Sequence, residues 1–196
     1  NINANGHEWV DLGLPSGTKW ATCNVGADSP EDYGSYFAWG GTEPKETSYD
    51  WSTYKFYDSN YMTKYNTDDY KTTLDISDDA AYVNWGISWC MPTKAQFEEL
   101  CKYVRFEDYS GTLPYYLGTS KTNGNTIIIP KAGWEYENTP HTYNYVWYWS
   151  SELMEANASG SDYYSYMLID SPTGGLMVKD AQRVQGLAVR AVVKKQ

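Results

Sequence analysis

Short apolar runs alternate with polar, turn-forming residues along most of this chain, and this pattern predicts short strands joined by turns. Residues 43–72 are polar and rich in tyrosine, which predicts a long loop. Asn123-Gly124 separates two strand-like runs and predicts a hairpin turn. The last run, residues 187–193, is apolar on both faces and predicts a central, buried strand. The predicted strands cover residues 9–12, 18–23, 36–39, 115–121, 126–130, 147–150, 163–170, 176–179 and 187–193.

Two helices are predicted from capping signals and apolar spacing. The first begins near Ser77, which can cap it, and acidic residues follow in its first turn. The second covers residues 94–104, with Thr93 as N-cap and Gln96 completing a capping box. Its apolar residues fall on one helical face. They are Phe97, Leu100, Cys101 and Val104.

Two tryptophans, Trp85 and Trp89, flank Gly86 just before the second helix. Glycine permits a sharp backbone turn, and two indole rings can hold such a turn against a core. We therefore interpret this segment as a corner of the fold. A ligand platform is the alternative interpretation.

Composition adds a large supply of aromatic side chains that carry a polar group. Of 196 residues, 20 are Tyr and 9 are Trp, but only 4 are Phe. Tyr and Trp suit partly hydrated binding surfaces as well as cores. The length fits one domain or two small ones.

The net charge of −10 argues against nucleic acid as a partner, because such a surface repels phosphate backbones. No apolar run is long enough to cross a bilayer, so we expect no membrane insertion of this domain.

Catalytic chemistry has little support in the sequence. The two histidines, His7 and His141, lie in no recognisable nucleophile motif, and we expect His141 to be a solvated loop residue. Cys23, Cys90 and Cys101 lack zinc-ligand spacing, and we expect no disulfide among them. The prediction is a protein with no catalytic residues, no cofactor and no metal.

Calcium binding by acidic residues is the alternative to a protein without metal. Asp68 and Asp69, and Asp75 with Asp78 and Asp79, place carboxylates at close spacing. Helix capping and solvation explain these acids equally well.

Two aromatic runs, residues 143–149 and 163–166, are candidates for ligand binding. Aromatic rings beside Asn and Asp suit the C–H faces of sugars or the anchor points of protein partners. The alternative is that these rings fill a polar-edged core. The candidates from these runs are Tyr145, Trp147, Tyr164 and Tyr166.

A series of motifs follows in order through the chain: residues 8–27 (EWVDLGLPSGTKWATCNVGA), 36–40 (YFAWG), 78–81 (DDAA), 89–93 (WCMPT), 129–133 (IPKAG), 148–151 (YWSS) and 186–192 (GLAVRAV). Together they resemble the Fibrobacter succinogenes major paralogous domain family, which is abundant in exported and surface proteins of gut Bacteroidetes. Because the resemblance extends from Glu8 to Val193, it predicts a single domain over residues 1–196.

The resemblance implies the C-type-lectin-like fold, in the branch shared with formylglycine-generating enzyme and the variable proteins of diversity-generating retroelements. We therefore expect an α+β domain with a twisted antiparallel sheet, two short helices and long loops, exported to the cell surface or beyond. Formylglycine-generating activity is not expected, because it needs a late cysteine pair and this chain has none after Cys101.

In the retroelement relatives, the variable residues lie on one exposed face between the Tyr-Trp-Ser-Ser motif and the last strand. Matched onto this chain, that face covers residues 152–162 and 180–185. Arg183 is the expected anchor, since its planar guanidinium pairs with acids or stacks on rings. Arg190 matches a framework position and is expected to be structural. The residues that the resemblance implies as ligand-facing are Asp180, Arg183 and Gln185.

Together these observations predict an exported, non-catalytic domain that binds a surface glycan or protein through the loop face of its C-terminal third. Diversification by a retroelement is left open. The alternative is a structural or adhesive module of a larger cell-surface assembly, such as a pilus tip, with no small ligand. A binder should expose the candidate aromatic residues and Arg183 in one patch, whereas a structural module should bury them.

Overall fold

The computed structural model describes residues 3–155 and 161–195. Strands account for 37% of the chain and helices for 13%, with curled antiparallel sheets and two short α-helices, which confirms the predicted α+β class. The helices are α1 (Ala80–Trp85) and α2 (Lys94–Tyr103). Three single 3-10 turns cover Trp51–Thr53, Ile76–Asp78 and Ser161–Tyr163.

The strands are short, as the broken apolar pattern predicts. They are β1 (Asn3–Ala4), β2 (His7–Asp11), β3 (Lys19–Ala21), β4 (Tyr36–Phe37), β5 (Tyr57–Asp58), β6 (Tyr61–Met62), β7 (Trp89–Cys90), β8 (Val104–Tyr109), β9 (Tyr115–Ser120), β10 (Thr126–Pro130), β11 (Trp134–Glu135), β12 (Trp147–Leu153), β13 (Tyr164–Asp170), β14 (Leu176–Gln182), β15 (Gly186–Ala188) and β16 (Val192–Val193).

The strands form three main sheets. The large sheet has the order β11-β15-β12-β13-β14, and β4 also pairs with β15. A second sheet has the order β1-β2-β3-β16-β7, and a third consists of β10-β9-β8. Strand pairs are antiparallel throughout, except that β12 meets β15 in parallel at Tyr148 and Ala188.

The segment predicted as one strand over residues 187–193 is two strands. β15 belongs to the large sheet and β16 to the second sheet, so the chain crosses between sheets at Val189–Ala191. This crossing explains why the segment is apolar on both faces, because each half is buried by a different set of neighbours. Leu187 and Val192 are both fully buried, which confirms the predicted burial. The prediction of a single strand is wrong.

The predicted cap of the first helix is also wrong. Residues Ile76–Asp78 form a 3-10 turn, and α1 begins only after Asp79. The Asp79 carboxylate accepts hydrogen bonds from the Tyr82 N–H at 3.0 Å and the Met91 N–H at 2.8 Å. Burial raises the pKa of Asp79. One side chain therefore caps α1 and ties it to the segment that leads into α2.

The capping box of α2 is confirmed. The Thr93 hydroxyl accepts from the Gln96 N–H at 3.1 Å, and the Gln96 side-chain oxygen accepts from the Thr93 N–H at 2.9 Å. Phe97 and Leu100 are fully buried on the predicted face.

Removing this cap gives a modest, specific loss of stability. Thr93→Ala is expected to lower the free energy of unfolding by about 1 kcal/mol, because the Gln96 N–H loses its acceptor. Urea unfolding measures the change. Thr112→Ala, an exposed threonine outside any helix, is the control and should leave the midpoint unchanged. Equal losses in both variants would show that the cap contributes nothing of its own.

The corner between α1 and α2 is as predicted. Gly86 has a φ of 93°, in the region that favours glycine. The Trp85 and Trp89 rings meet edge to face at 5.1 Å, and the His7 ring stacks on Trp85 at 3.9 Å. The Trp89 indole N–H donates to the Ala4 carbonyl at 2.8 Å. Both tryptophans are buried, which confirms a structural corner.

Two core clusters contain alternating side chains of the large sheet. On β12, Trp149 joins the first core and Tyr148 the second; on β13, Met167 joins the first and Leu168 the second. Helix α2 packs on the second core through Phe97 and Leu100. The first core is built around large, fully buried residues. They include Trp39, Trp89, Trp149, Phe37 and Tyr65.

Candidate functional site

The structure separates the predicted site residues. Tyr164, Tyr166 and Asp180 lie on one face of the β13–β14 pair, because Tyr166 pairs directly with Asp180. Trp147 lies on the opposite face, since it pairs with Ile169. Tyr145 precedes β12 in a loop and is 50% exposed. The segment 156–160 of the predicted loop face lies outside the described residues.

Arg183 is not ligand-facing, and that prediction is wrong. Its side chain is fully buried. It donates to the backbone carbonyls of Lys64 at 2.8 Å, Tyr65 at 2.8 Å and Asp162 at 2.9 Å. Its Nε donates to the Tyr54 hydroxyl at 3.2 Å. A guanidinium engaged by four protein acceptors cannot anchor a ligand.

Aromatic rings complete the enclosure of Arg183. Its guanidinium carbon lies 5.0 Å from the Trp39 ring centroid, 5.5 Å from that of Tyr54 and 5.8 Å from that of Tyr65. Such rings stabilise a buried cation through their negative faces. Arg183 therefore fixes part of the long 43–72 loop onto the large sheet.

The prediction that Gln185 faces a ligand is also wrong. It is buried, and its side-chain oxygen accepts from the Gln182 N–H at 3.1 Å. Tyr166 is partly exposed, but the Lys94 ammonium lies over its ring at 4.4 Å. Of the three positions carried over from the retroelement relatives, Asp180 alone is exposed.

Arg190 is a structural hydrogen-bond hub, as predicted. It is buried, with Nε donating to the Asn24 side chain at 2.8 Å and Nη1 to the Ala21 carbonyl at 3.2 Å. Asn24 in turn donates to the Tyr148 hydroxyl at 2.9 Å. Burial lowers the pKa of Arg190, and no carboxylate within the described ranges pairs with it.

Six half-buried aromatic side chains lie beside the first core. We call them the aromatic surface. All its members pack against the first core while keeping part of their area in solvent. Its members are Trp51, Tyr57, Trp134, Tyr136, Trp147 and Tyr163.

The members of the aromatic surface contact one another in two groups. The Trp51 ring meets those of Tyr57 and Tyr163, each at 5.1 Å between centroids. At the other end, the Trp134 and Trp147 rings lie 5.2 Å apart with a 32° tilt. The Trp51 contacts are steep, at 53° and 68° between ring planes, whereas the Trp134 and Trp147 planes are only 32° apart.

Tyr136 lies two residues after Trp134, beside the pairing of Glu137 with Tyr49. Glu137 pairs with Tyr49 through its N–H at 2.9 Å, which brings the 3-10 turn at Trp51–Thr53 beside the end of β11. Burial raises the pKa of Tyr136, and the nearby Glu137, Tyr164 and Asp50 raise it further.

The indole N–H groups of the aromatic surface are free to bind oxygen. The buried tryptophans Trp39 and Trp149 donate to backbone carbonyls at 2.9 Å and 2.8 Å. The indole N–H groups of Trp51, Trp134 and Trp147 have no acceptor in the described part of the chain and are not buried. Each therefore presents a donor to solvent or to a ligand.

Carboxylates surround the aromatic surface. Asp50 caps the 3-10 turn at Trp51, and hydrogen bonds from the Ser48 and Ser52 hydroxyls lower its pKa to about 2. Glu137 is exposed, and Glu135 bonds to His141 at 2.8 Å. Asp50 already accepts from Ser48, Ser52 and Thr53, so Glu137 is the carboxylate of this rim that is exposed to a ligand.

His141 is not a solvated loop residue, and that prediction is wrong. Its Nδ1 lies 2.8 Å from a Glu135 oxygen and its Nε2 lies 2.8 Å from the Ala132 carbonyl. Its ring contacts Tyr36 at 4.4 Å and stacks on Tyr143 at 4.1 Å. The residue fastens the 133–145 loop, and both its nitrogens are occupied.

Four of the five acids considered for calcium have protein partners, namely Asp69, Asp75, Asp78 and Asp79. Asp69 accepts from the backbone N–H groups of Tyr65, Asn66 and Lys71. Asp75 pairs with Lys64 at 2.8 Å and with Lys71 at 2.9 Å. Such partners organise the loop and leave these carboxylates little capacity for a cation.

Asp78 is held by two lysines. Its carboxylate lies 2.8 Å from the Lys55 ammonium and 2.6 Å from that of Lys64. Burial alone would raise the pKa of Asp78, but these ammonium groups and the Tyr65 hydroxyl outweigh it and lower the pKa. Within residues 3–155 and 161–195, no group of three or more His, Cys, Asp and Glu side chains is arranged to hold a metal ion.

The cysteines offer no convergent chemistry. All three are free thiols in the structure. Burial raises the pKa of Cys90 and of Cys101 to about 12, which keeps both protonated near neutral pH.

Among the described residues, no helix has the length and apolar character needed to cross a membrane.

Comparison with protein-family models, with curated proteins and with solved structures finds no significant match. The site must therefore be interpreted from its own geometry. Sequence reasoning missed Trp51, Tyr57, Trp134 and Tyr136 as site residues. Their one visible signal is that large aromatics recur in segments otherwise made of polar residues.

Proposed function

We propose that this protein is an exported, surface-associated domain that binds a glycan or a protein and carries out no chemistry. In this proposal the chain is a single C-type-lectin-like domain of the Fibrobacter succinogenes major paralogous family. The ligand lies on the aromatic surface, to which the C-terminal third contributes Trp147 and Tyr163 and the long loop contributes Trp51 and Tyr57.

The observation that carries the proposal is the set of partly exposed aromatic rings packed against the first core. Aromatic side chains on a preorganised surface bind ligands with little loss of conformational entropy. The free indole donors and the carboxylate rim supply directional hydrogen bonds of both kinds around these rings. A surface with these properties fits recognition, because its rings supply contact area and its donors supply directional bonds.

A structural or adhesive module is the second candidate, and the burial of Arg183 and a separate apolar tip favour it. Tyr109 and Tyr115 stack at 5.4 Å at the end of the β8–β9 pair, and Leu113 in the connecting turn is 42% exposed. An exposed apolar tip on a hairpin suits contact with a neighbouring protein.

A binding screen of the labelled domain tests the proposal. The domain is applied to a glycan array and to a panel of cell-surface proteins, once with calcium and once with EDTA. We expect hits in both buffers that are lost in Trp147→Ala and kept in Tyr70→Ala, an 87% exposed tyrosine outside the aromatic surface.

Hits that survive Trp147→Ala but disappear when Tyr109 is replaced by Ala would instead support the adhesive module. Hits that need calcium would contradict the metal-free mechanism. An absence of hits in both screens would argue against a binding domain.

A further inference from the structure

We propose that the outer edge of strand β8 is a contact between two copies of this chain, which pair antiparallel around Phe106. This inference goes beyond the proposed binding function and does not depend on it. It rests on the hydrogen bonds that β8 leaves open, on the exposure of the strand and on the order of its charges.

Strand β8 is the outer strand of the sheet β10-β9-β8, and within the described residues it pairs with β9 alone. An outer strand presents a row of unpaired N–H and C=O groups that another strand can bind. Arg105 is exposed, and so are all residues from Glu107 to Tyr109. A strand from a second chain can therefore reach this edge.

The backbone groups at the open edge belong to alternate residues. Just before β8, the Lys121 N–H donates to the Tyr103 carbonyl at 2.9 Å. Paired residues of antiparallel strands alternate between those that exchange hydrogen bonds and those that do not, so the odd-numbered residues of β8 bond to β9. The backbone N–H and C=O groups of Phe106 and Asp108 point the other way, and no other strand of the described chain pairs with them.

The charges of β8 select one register for such a pair. Arg105 and Glu107 lie on one face of the strand, form an ion pair at 3.2 Å and are 67% and 47% exposed. A two-fold pair centred on Phe106 places each Arg105 opposite the partner's Glu107. A centre at residue 105 or residue 107 would instead place like charges opposite each other. Opposite charges at facing positions stabilise a strand pair, and like charges destabilise it.

The opposite face of β8 is compatible with the same register. Phe106 is partly exposed beside the second core and would lie opposite the partner's Phe106. Facing aromatic residues stabilise an antiparallel pair. The Asp108 carboxylate is already paired with the Lys131 ammonium at 2.7 Å, so no unpaired charge enters the contact.

Strand β14, the outer strand of the large sheet, lacks this self-complementary order. Its charged residues, Lys179 and Asp180, are adjacent in sequence. Adjacent residues of a strand point to opposite faces, so these two charges cannot face each other in a symmetric pair. The charge order therefore favours β8 as the edge that binds a second copy.

Sedimentation equilibrium of the unmodified protein tests whether the pair forms. The measured mass should rise with concentration and approach twice the mass of one chain by ~500 µM. Amide hydrogen exchange then tests the backbone contact. The Phe106 and Asp108 N–H groups should exchange rapidly in dilute protein and become protected in concentrated protein, whereas the Glu107 N–H, which bonds to β9, should be protected in both.

Charge exchange tests the register. Arg105→Glu brings two acids together and Glu107→Arg two cations, so each should raise the dissociation constant of the dimer about ten-fold or more. The double variant that carries both substitutions restores opposite charges and should return this constant to within about three-fold of the unmodified value. An equimolar mixture of the two single variants should do the same.

Lys179→Glu is the matched control, because it changes the net charge as much as Arg105→Glu does and lies on an exposed position of β14. It should leave dimer formation unchanged. Circular dichroism shows that each variant is folded.

A mass of one chain at every concentration would overturn the inference. Single variants that dimerise as well as the unmodified protein, or a dimer in which Phe106 and Asp108 stay unprotected, would exclude β8 as the contact. Weakened single variants without rescue in the double variant would exclude the register centred on Phe106. The ligand screen with Trp147→Ala tests the binding function separately.

Discussion

Arg183→Met is expected to lower the free energy of unfolding by about 3–5 kcal/mol. The change removes the donors that satisfy the Lys64, Tyr65 and Asp162 carbonyls, all of which then lie near an apolar side chain. It also removes the cation from the ring of Trp39. Buried acceptors without donors are costly, so the loss exceeds that of a surface ion pair.

Urea unfolding measures the loss, and limited proteolysis measures its location. Cleavage within residues 43–72 should accelerate, because Arg183 connects this loop to the large sheet. Lys179→Met is the control and should change stability little, because Lys179 is an exposed cation on β14, the strand that ends one residue before Arg183. Arg183→Lys should restore only part of the loss, since an ammonium cannot reach all the acceptors of a guanidinium. A stability change below about 1 kcal/mol would contradict the structural role.

Trp149→Ala is the second substitution with a large expected effect. Trp149 is fully buried in the first core, and its indole N–H donates to the Phe37 carbonyl at 2.8 Å. Removing the ring leaves a large cavity and an unsatisfied carbonyl. The free energy of unfolding should fall by about 3–5 kcal/mol.

Trp147→Ala is the matched comparison, because Trp147 lies two residues away on the same strand and the same face. Trp147 is half-exposed and its indole N–H has no acceptor in the described part of the chain. Trp147→Ala should lower the free energy of unfolding much less than Trp149→Ala does, but it should abolish ligand binding. Denaturant titration of both variants checks the contrast. Equal destabilisation would show that Trp147 is a core residue, which would contradict its role in the aromatic surface.

The parts of the fold that the sequence predicts well depend on local signals. The capping box at Thr93 and the Asn123-Gly124 turn each act within a few residues. The structure contains α2 at Lys94–Tyr103 and the β9–β10 hairpin, as predicted.

The errors in the fold come from tertiary packing. Strand β8 (Val104–Tyr109) was not predicted, because Val104 also fits the apolar face of the preceding helix. Residues 187–193 have one uninterrupted apolar pattern, and only the positions of two different sheets divide it into β15 and β16. Ser77 and Asp79 are both good caps, and the bond from Met91 to Asp79 decides between them.

The site was predicted less well, because its partners are distant in sequence. Trp147 was identified from a dense aromatic run. Trp51 joins it only because Tyr49 pairs with Glu137, and that contact spans 88 positions of the chain. Arg183 looked like an exposed anchor because its carbonyl acceptors at Lys64 and Tyr65 lie more than 100 residues earlier.

The central claim is that ligand binds on the aromatic surface, and the indole N–H signals in a nitrogen–proton NMR spectrum test it most directly. The chain has nine tryptophans. On titration with a ligand that the binding screen identifies, the signals of Trp51, Trp134 and Trp147 should shift, and those of Trp39 and Trp149 should not. Shifts confined to other tryptophans, such as Trp9 or Trp85, would contradict the account.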